Sequence, residues 1–122
     1  MAVSQSMPIL IVDDVNTMIR ILRNLLRQLG FTQIDEACDG QAALAKLRAK
    51  DYALVISDAH MAPMSGIDLL AAARAEERTR STPFVMLGED EDAFAAGAAA
   101  CLAAPFSAQT LKAKLEPVLG SF

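Results

Sequence analysis

The sequence predicts an α/β protein in which five parallel strands form one doubly wound sheet. Short apolar runs alternate from end to end with stretches whose apolar residues recur at helical spacing. Continuous apolar runs of this length are typical of strands that are covered on both faces. Two of the runs end in acidic residues: Asp13 and Asp14 directly follow Ile9–Val12, and Asp58 directly follows residues 53–57. These observations place a candidate site at the carboxyl ends of two strands.

Strand and helix patterns alternate through the first half of the chain. We expect a strand at residues 8–12 and then a helix at residues 16–29, which Gly30 ends as a C′ glycine does. The predicted apolar face of this helix comprises Val15, Met18, Ile19, Leu22, Leu25, Leu26 and Leu29. Its opposite face, which we expect to be solvated, carries Arg20, Arg23 and Arg27. A short second strand at residues 33–37 and a second helix at residues 40–49 follow.

A loop separates the third predicted strand from the third helix. The strand covers residues 53–57, the loop begins at Asp58, and the helix covers residues 66–77. Ser65 and Asp68 have the spacing of a capping box, which predicts that the helix begins between them.

The last third of the chain contains two strands and an alanine-rich segment. Pro83 precedes the fourth strand at residues 84–87, the fifth strand lies near Leu102, and the last helix begins after Ser107. Residues 93–104 are largely alanine and leave room only for a shortened fourth helix. Five strand–helix units in one chain imply a parallel sheet with right-handed crossovers.

Length and composition restrict the class of protein. A chain of 122 residues with 53% hydrophobic residues predicts a single domain over residues 1–122, in which residues 1–7 form a flexible leader. The net charge of -4 argues against a nucleic-acid partner. We see no signal peptide and no apolar stretch of the length that spans a bilayer, so we expect a cytoplasmic protein without membrane insertion.

The three aspartates predict a metal site. Carboxyl ends of neighbouring strands meet at one edge of an open α/β sheet, so Asp13, Asp14 and Asp58 should lie together. Their charges would repel one another unless a cation lies among them or one carboxyl stays protonated. Mg²⁺, a hard cation that prefers oxygen ligands, is the expected cofactor. Taken singly, the first pair is also compatible with helix capping and Asp58 with a solvated loop; together the three favour a metal.

Three segments resemble the receiver domain of bacterial response regulators, and above all the single-domain chemotaxis regulators. They are ILIVDD at residues 9–14, RNLLRQLGF at residues 23–31 and LVISD at residues 54–58. The resemblance covers nearly the whole chain and implies a flavodoxin-like fold with strand order 2-1-3-4-5.

The resemblance also implies the role of each site residue. Asp58 would accept a phosphoryl group from a histidine kinase or phosphotransfer protein. Asp14 would be a direct Mg²⁺ ligand, Asp13 would act mainly through water, and the backbone carbonyl of His60 would complete the protein ligands. The His60 side chain is expected to line the pocket rather than to bind the metal.

The sequence departs from the family at three positions around this site. Gly88 stands where the family carries a threonine or serine that reports phosphorylation, and Ala104 stands where it carries a lysine that pairs with the phosphoryl oxygen. Glu89 stands where a small residue is usual, and its carboxylate would line the pocket and hinder an incoming phosphoryl group. We therefore expect slower phosphorylation or weaker coupling to a conformational change. Ala104-Pro105 corresponds to a peptide that is cis in the family.

The resemblance implies a signalling protein rather than an enzyme. The first hypothesis is a stand-alone receiver that is phosphorylated on Asp58 and acts by contact with a downstream protein target or as a phosphate sink. The alternative is a degenerate receiver that serves as a phosphorylation-independent binding module or kinase modulator, which Gly88, Glu89 and Ala104 favour. A Mg²⁺-dependent phosphatase and a flavodoxin-like electron carrier have less support, because there is no second carboxylate close after Asp58, few aromatic residues and no glycine-rich phosphate loop.

Overall fold

The computed structural model describes residues 6–88, 97–103 and 107–119. These residues form five strands and four helices, which follow one another in the predicted order. In chain order they are β1 (Ile9–Val12), α1 (Asn16–Gln28), β2 (Ile34–Ala37), α2 (Gly40–Ala49), β3 (Leu54–Asp58), α3 (Gly66–Ala75), β4 (Phe84–Leu87), β5 (Ala100–Leu102) and α4 (Ala108–Leu119).

All five strands are parallel and belong to one sheet with the order β2-β1-β3-β4-β5. The predicted α/β fold and its strand order 2-1-3-4-5 are therefore confirmed. Val12 at the end of β1 pairs with Ala37 of β2 and Ser57 of β3, and Asp58 pairs with Leu87 of β4. The ends of the three central strands thus lie side by side at one edge of the sheet.

The core consists of two apolar layers, one on each face of the sheet. Ile9 and Ile11 of β1 pack with the buried residues of α1 and α4, whereas Leu10 and Val12 pack with those of α2 and α3. All four side chains are fully buried. Burying a side chain of this kind contributes about 1.5–3 kcal/mol, so β1 is anchored on both faces, as its continuous apolar run predicts.

Helix α1 buries the centre of its predicted apolar face but not the beginning. Ile19, Leu22 and Leu26 are buried against the sheet, whereas 53% of Val15 is exposed. The prediction for Val15 is wrong because this residue is the N-cap, with extended backbone angles, and precedes the first helical turn. Its side chain is therefore not held on the buried face that helical spacing would give it.

Gly30 ends α1 as predicted. It has a φ of 101°, its N–H donates to Arg27, and the N–H of Phe31 donates to Leu26. This is the hydrogen-bond pattern of a Schellman motif, in which a glycine at C′ adopts the left-handed conformation without steric cost. The turn directs the chain from the helix into β2.

Two other expectations for the helices need correction. Arg23 was expected on a solvated face, but it is half-buried and forms an ion pair with Glu36 of β2. This pair exists because α1 lies close enough to the edge strand for the long arginine side chain to reach it. Helix α3 ends at Ala75 rather than at residue 77.

Parts of the alanine-rich segment lie outside the described residues. The described residues 97–103 contain β5 and no helix, and residues 89–96, where the shortened fourth helix would lie, are outside them. Ala104-Pro105 is outside them too, and the cis peptide bond found in the described part is Ala62-Pro63. Across the described residues, no helix has both the length and the apolar character that crossing a membrane requires.

The beginning of α3 is packed closely against the end of β3. Ser65 and Asp68 form the predicted capping box, with the Asp68 N–H donating to Ser65 Oγ at 3.0 Å and the Ser65 N–H donating to Asp68 Oδ2 at 3.3 Å. At Gly66, an added Cβ would lie 1.9 Å from the backbone oxygen of Asp58. The residue that follows the cap must therefore be glycine for α3 to lie this close to Asp58.

We predict that Gly66→Ala destabilises the protein by about 2 kcal/mol or more, because overpacking of a close contact typically costs 1–3 kcal/mol. The free energy of unfolding in urea measures this effect. Ala71→Ser, on the exposed face of the same helix, should change stability by less than about 0.5 kcal/mol. A Gly66→Ala protein as stable as the unaltered chain would show that the contact is not restrictive.

Candidate functional site

Three carboxylates meet at the edge of the sheet where β1 and β3 end. Asp13, Asp14 and Asp58 each offer an oxygen atom, and these oxygens all lie within 4.8 Å of one another. Asp13 is only 3% exposed, Asp58 is half-buried, and Asp14 is exposed. The convergence expected from the sequence is present, and the cluster has the composition of a site that is able to hold a hard divalent cation.

Short-range hydrogen bonds orient two of the carboxylates. The Val15 N–H donates to Asp13 Oδ1 at 2.9 Å, and the His60 N–H donates to Asp58 Oδ1 at 3.1 Å. The buried Ser57 hydroxyl donates to the backbone carbonyl of Asp58 at 2.9 Å. These bonds come from residues one or two positions away, so the turns that follow β1 and β3 hold the carboxylates in place.

Burial raises the pKa of the Asp13 carboxyl from its ordinary value of 3.8 to about 6. The hydrogen bond from the Val15 N–H lowers this pKa, while the negative charges of Asp58 and Asp14 raise it. The ionised form of Asp13 therefore destabilises the folded protein at neutral pH when no cation is present. A cation among the three carboxylates would remove this cost, because its charge reverses the local electrostatic balance.

A cavity of about 340 Å³ opens beside the carboxylates. The residues that line it are Asp13, Val15, Met18, Asp58, His60, Leu87 and Gly88. The lining thus combines two carboxylates and an imidazole with three apolar side chains.

Gly88 forms part of the cavity wall with a backbone that an L-residue rarely adopts. Its φ is 105°, nothing lies within 4 Å of where a Cβ would be, and its N–H donates to the Leu102 carbonyl at 2.7 Å. Space is therefore available at this position, but any side chain would strain the backbone. The other two atypical positions, Glu89 and Ala104, lie outside the described residues.

The sequence interpretation missed the apolar wall of the site. Val15, Met18 and Leu87 line the cavity, but the sequence assigned the first two only to the apolar face of α1 and the third only to β4. Their position next to the acidic residues in the chain was an available signal, since Val15 directly follows Asp14. His60 does line the pocket, as expected.

The fold and the acidic cleft together define a class of protein: a doubly wound α/β domain of the receiver type. Residues 9–116 match the response regulator receiver domain, and the chain belongs to this family. The chain is 44% identical over 118 residues to the chemotaxis protein CheY of Pseudomonas aeruginosa. The aligned region covers 92% of this chain and 95% of that protein. It is 42% identical over 121 residues to chemotaxis protein CheY-3 of Vibrio cholerae, with coverage of 94% and 93%.

Two solved structures also support assignment to the receiver family. The structure of CheY4 of Vibrio cholerae matches with a TM-score of 0.85 at 30% identity and covers 93% of this chain and 99% of that chain. The receiver domain of sensor histidine kinase PA1611 of Pseudomonas aeruginosa, which has a magnesium ion coordinated in its active site cleft, matches with a TM-score of 0.86 at 25% identity and covers 95% and 99%. The expected chemotaxis-type receiver is therefore confirmed.

We predict that Asp13→Asn makes the metal-free protein more stable above pH 6. Asparagine keeps an acceptor oxygen for the Val15 N–H but carries no charge. Since the pKa of Asp13 is raised from 3.8 to about 6, folding disfavours the ionised form, and the penalty at pH 7.5 is roughly 1–3 kcal/mol. The gain should shrink as the pH falls from about 6 towards 3.8, where Asp13 of the unaltered protein is itself protonated.

Urea unfolding in the presence of a chelator, measured between pH 4 and pH 8, tests this prediction. Asp51→Asn is the matched control, because Asp51 is an exposed aspartate before β3, away from the carboxylate cluster. Its ion pair with Arg78 is exposed, so its loss should lower stability by at most about 1 kcal/mol, opposite in sign to the effect expected at Asp13. A stability difference that does not change with pH would contradict the stated cause.

Proposed function

We propose that the protein accepts a phosphoryl group on Asp58, with Mg²⁺ as cofactor, from a phosphohistidine of a histidine kinase or phosphotransfer protein. The observation that carries this proposal is the convergence of three carboxylate oxygens within 4.8 Å of one another. One of them belongs to Asp58, which also lines a cavity of about 340 Å³. Membership of the receiver family supports the same function.

Each residue of the cluster has a distinct proposed role. Asp14, which is exposed, and Asp58 would hold Mg²⁺ directly, while the buried Asp13 would act mainly through water. The backbone carbonyl of His60 would supply the remaining protein ligand. When bound, Mg²⁺ supplies positive charge that neutralises the carboxylates and the oxygens of the transferred phosphoryl group.

Asp58 acts as a nucleophile in the proposed reaction. One of its carboxylate oxygens forms a bond to phosphorus while the bond between phosphorus and the donor nitrogen breaks, and the donor imidazole keeps that electron pair. The His60 N–H fixes Asp58 Oδ1 at 3.1 Å and so limits rotation of the nucleophile. No general acid from this chain is needed, because a protonated donor imidazole leaves as a neutral ring.

The proposed output is a change in contact with another protein, or the draining of phosphoryl groups from a shared kinase. The named relatives are chemotaxis proteins, which supports a signalling role rather than that of an enzyme. The first output, a change in protein contact, requires a downstream protein target.

The backbone of Gly88 favours a second candidate, a phosphorylation-independent binding module. A threonine or serine at this position would have to adopt a φ near 105°, so the hydroxyl usual in the family cannot be restored without strain. Glu89 and Ala104 support the same alternative on sequence alone. In this case the domain would bind a kinase or another partner in one fixed conformation.

We predict that acetyl phosphate and Mg²⁺ give an acid-stable, base-labile modification of the protein, and that Asp58→Asn or a chelator reduces it to background. Intact-mass spectrometry measures the added phosphoryl group, and Asp51→Asn should be modified like the unaltered protein. An unmodified protein that still inhibits a kinase would overturn the phosphorylation proposal and support the binding module.

We predict that Ala104→Lys raises the initial rate of this modification severalfold. An added charge-assisted hydrogen bond is typically worth roughly 1.5–3 kcal/mol, and a severalfold gain in rate requires only part of this. Ala104→Met has a side chain of similar length without the charge and should leave the rate unchanged. Equal rates for the two variants would mean that a cation at position 104 does not assist transfer in this protein.

A further inference from the structure

The loop that joins β3 to α3 lies directly on the beginning of α2. Met64 of this loop is half-buried and packs against the apolar layer that α2 and α3 form on the sheet. At Gly40, the first residue of α2, an added Cβ would lie 2.7 Å from Met64 Cγ, 2.8 Å from its Sδ and 2.9 Å from its Cβ. The methionine side chain thus occupies the space that a side chain at position 40 would need.

This contact, and not the backbone conformation, requires glycine at position 40. Gly40 is not among the described glycines with a positive φ, and it lies in regular helix directly after the N-cap Asp39. Alanine has a higher helix propensity than glycine, so Gly40→Ala would stabilise α2 if space were available. A substitution that helix propensity favours is therefore opposed by the contact with Met64.

A change of rotamer at Met64 does not remove this conflict. Cγ and Sδ are able to move away, but Met64 Cβ is fixed to the backbone and would still lie 2.9 Å from the added carbon. Two carbon atoms that are not bonded to each other pack best at about 3.5–4.0 Å. A side chain at position 40 therefore displaces the backbone of residue 64.

The backbone that follows Met64 is held firmly. Ser65 caps α3 through a complete capping box. The Gly66 N–H donates to the Ala59 carbonyl at 3.1 Å, and Gly66 lies closely against the backbone at the end of β3. A displacement of Met64 is thus directed into the preceding residues 60–63.

Residues 60–63 include the part of the loop that the proposed function uses. The His60 N–H donates to Asp58 Oδ1 at 3.1 Å, and the His60 carbonyl is a proposed ligand of Mg²⁺. A shift of this backbone changes both the orientation of the Asp58 carboxylate and the position of the carbonyl. Mg²⁺ requires near-ideal octahedral geometry, so its affinity is sensitive to such a shift.

We propose that Gly40 is a positioning residue for the metal site: by leaving room for Met64, it sets the position of the loop that carries the His60 carbonyl. This inference rests on the proposed function and extends it to α2. Neither Gly40 nor Met64 belongs to the described lining of the cavity. The two residues act only through the loop backbone and contact neither the metal nor the phosphoryl group.

The Mg²⁺ affinity of the unphosphorylated protein, measured by isothermal titration calorimetry, tests this role. Gly40→Ala should weaken binding about threefold or more, because groups that orient metal ligands influence affinity strongly. With acetyl phosphate, its initial rate of Asp58 modification should be lower at limiting Mg²⁺ and should recover at saturating Mg²⁺. Gln41→Ala, at an exposed position in the same helical turn, is the matched control and should change neither quantity.

Removal of the methionine side chain tests whether the effect passes through this contact. In a Met64→Gly background all three crowded atoms are absent, so adding Gly40→Ala should change the Mg²⁺ affinity less than about 1.5-fold, the non-additivity expected of residues in contact. Urea unfolding with a chelator gives a metal-free readout. Gly40→Ala should lower stability when Met64 is present and should not lower it in the Met64→Gly background, where helix propensity alone acts.

The outcomes separate this proposal from the function on which it rests. If the unaltered protein binds Mg²⁺ and Gly40→Ala binds it equally well, the positioning role is refuted and the receiver function stands. An equal loss of affinity with and without the Met64 side chain would also overturn the proposal. If Gly40→Ala does not fold, Met64→Gly decides: it should itself weaken binding, and an unchanged affinity refutes the role. An unaltered protein that binds no Mg²⁺ would contradict the proposed function, and this inference with it.

Discussion

The parallel pairing of β1 with β3 is the constraint on which the site depends. Val12 pairs with Ser57, so the next residue of each strand, Asp13 and Asp58, emerges at the same edge of the sheet. Both strands are buried on both faces, and the apolar layers fix their register, since a slip of one residue would turn core side chains to the opposite face. The closeness of the carboxylates is therefore maintained by the core rather than by any attraction among the acidic groups, which repel one another.

Holding the carboxylates at this edge of the sheet is unfavourable in free energy, and the rest of the fold must offset it. Burial raises the pKa of Asp13 to about 6, and Gly66 allows α3 to press against the backbone oxygen of Asp58. The two features differ in their consequences: a neutral side chain at position 13 would relieve the cost of the buried charge, whereas any side chain at position 66 would clash with the backbone of β3. The apolar layers around β1 and β3 thus hold together three carboxylates that could bind a cation.

The lining of the cavity is chemically mixed, and this mixture bears on the proposed chemistry. Two carboxylates and His60 contribute polar groups, while Val15, Met18 and Leu87 are apolar and Gly88 has no side chain. A receiver with this cleft has the groups needed to hold a metal and present a nucleophile. It lacks, at Gly88, a hydroxyl that is able to move towards a bound phosphoryl group. Under the proposed function, acceptance of a phosphoryl group by Asp58 would not require this hydroxyl, whereas a conformational response that uses it would.

The sequence by itself determined the elements, the strand order implied by resemblance and the acidic residues of the site. Local patterns carry this information: continuous apolar runs, helical spacing, the Ser65 capping box and the Gly30 helix end each depend on neighbours within a few residues. Tertiary structure alone decided the ion pair of Arg23 with Glu36, the positive φ of Gly88 and the elevated pKa of Asp13. These properties depend on how distant segments pack and on how much water they exclude, and periodicity along the chain does not encode either quantity.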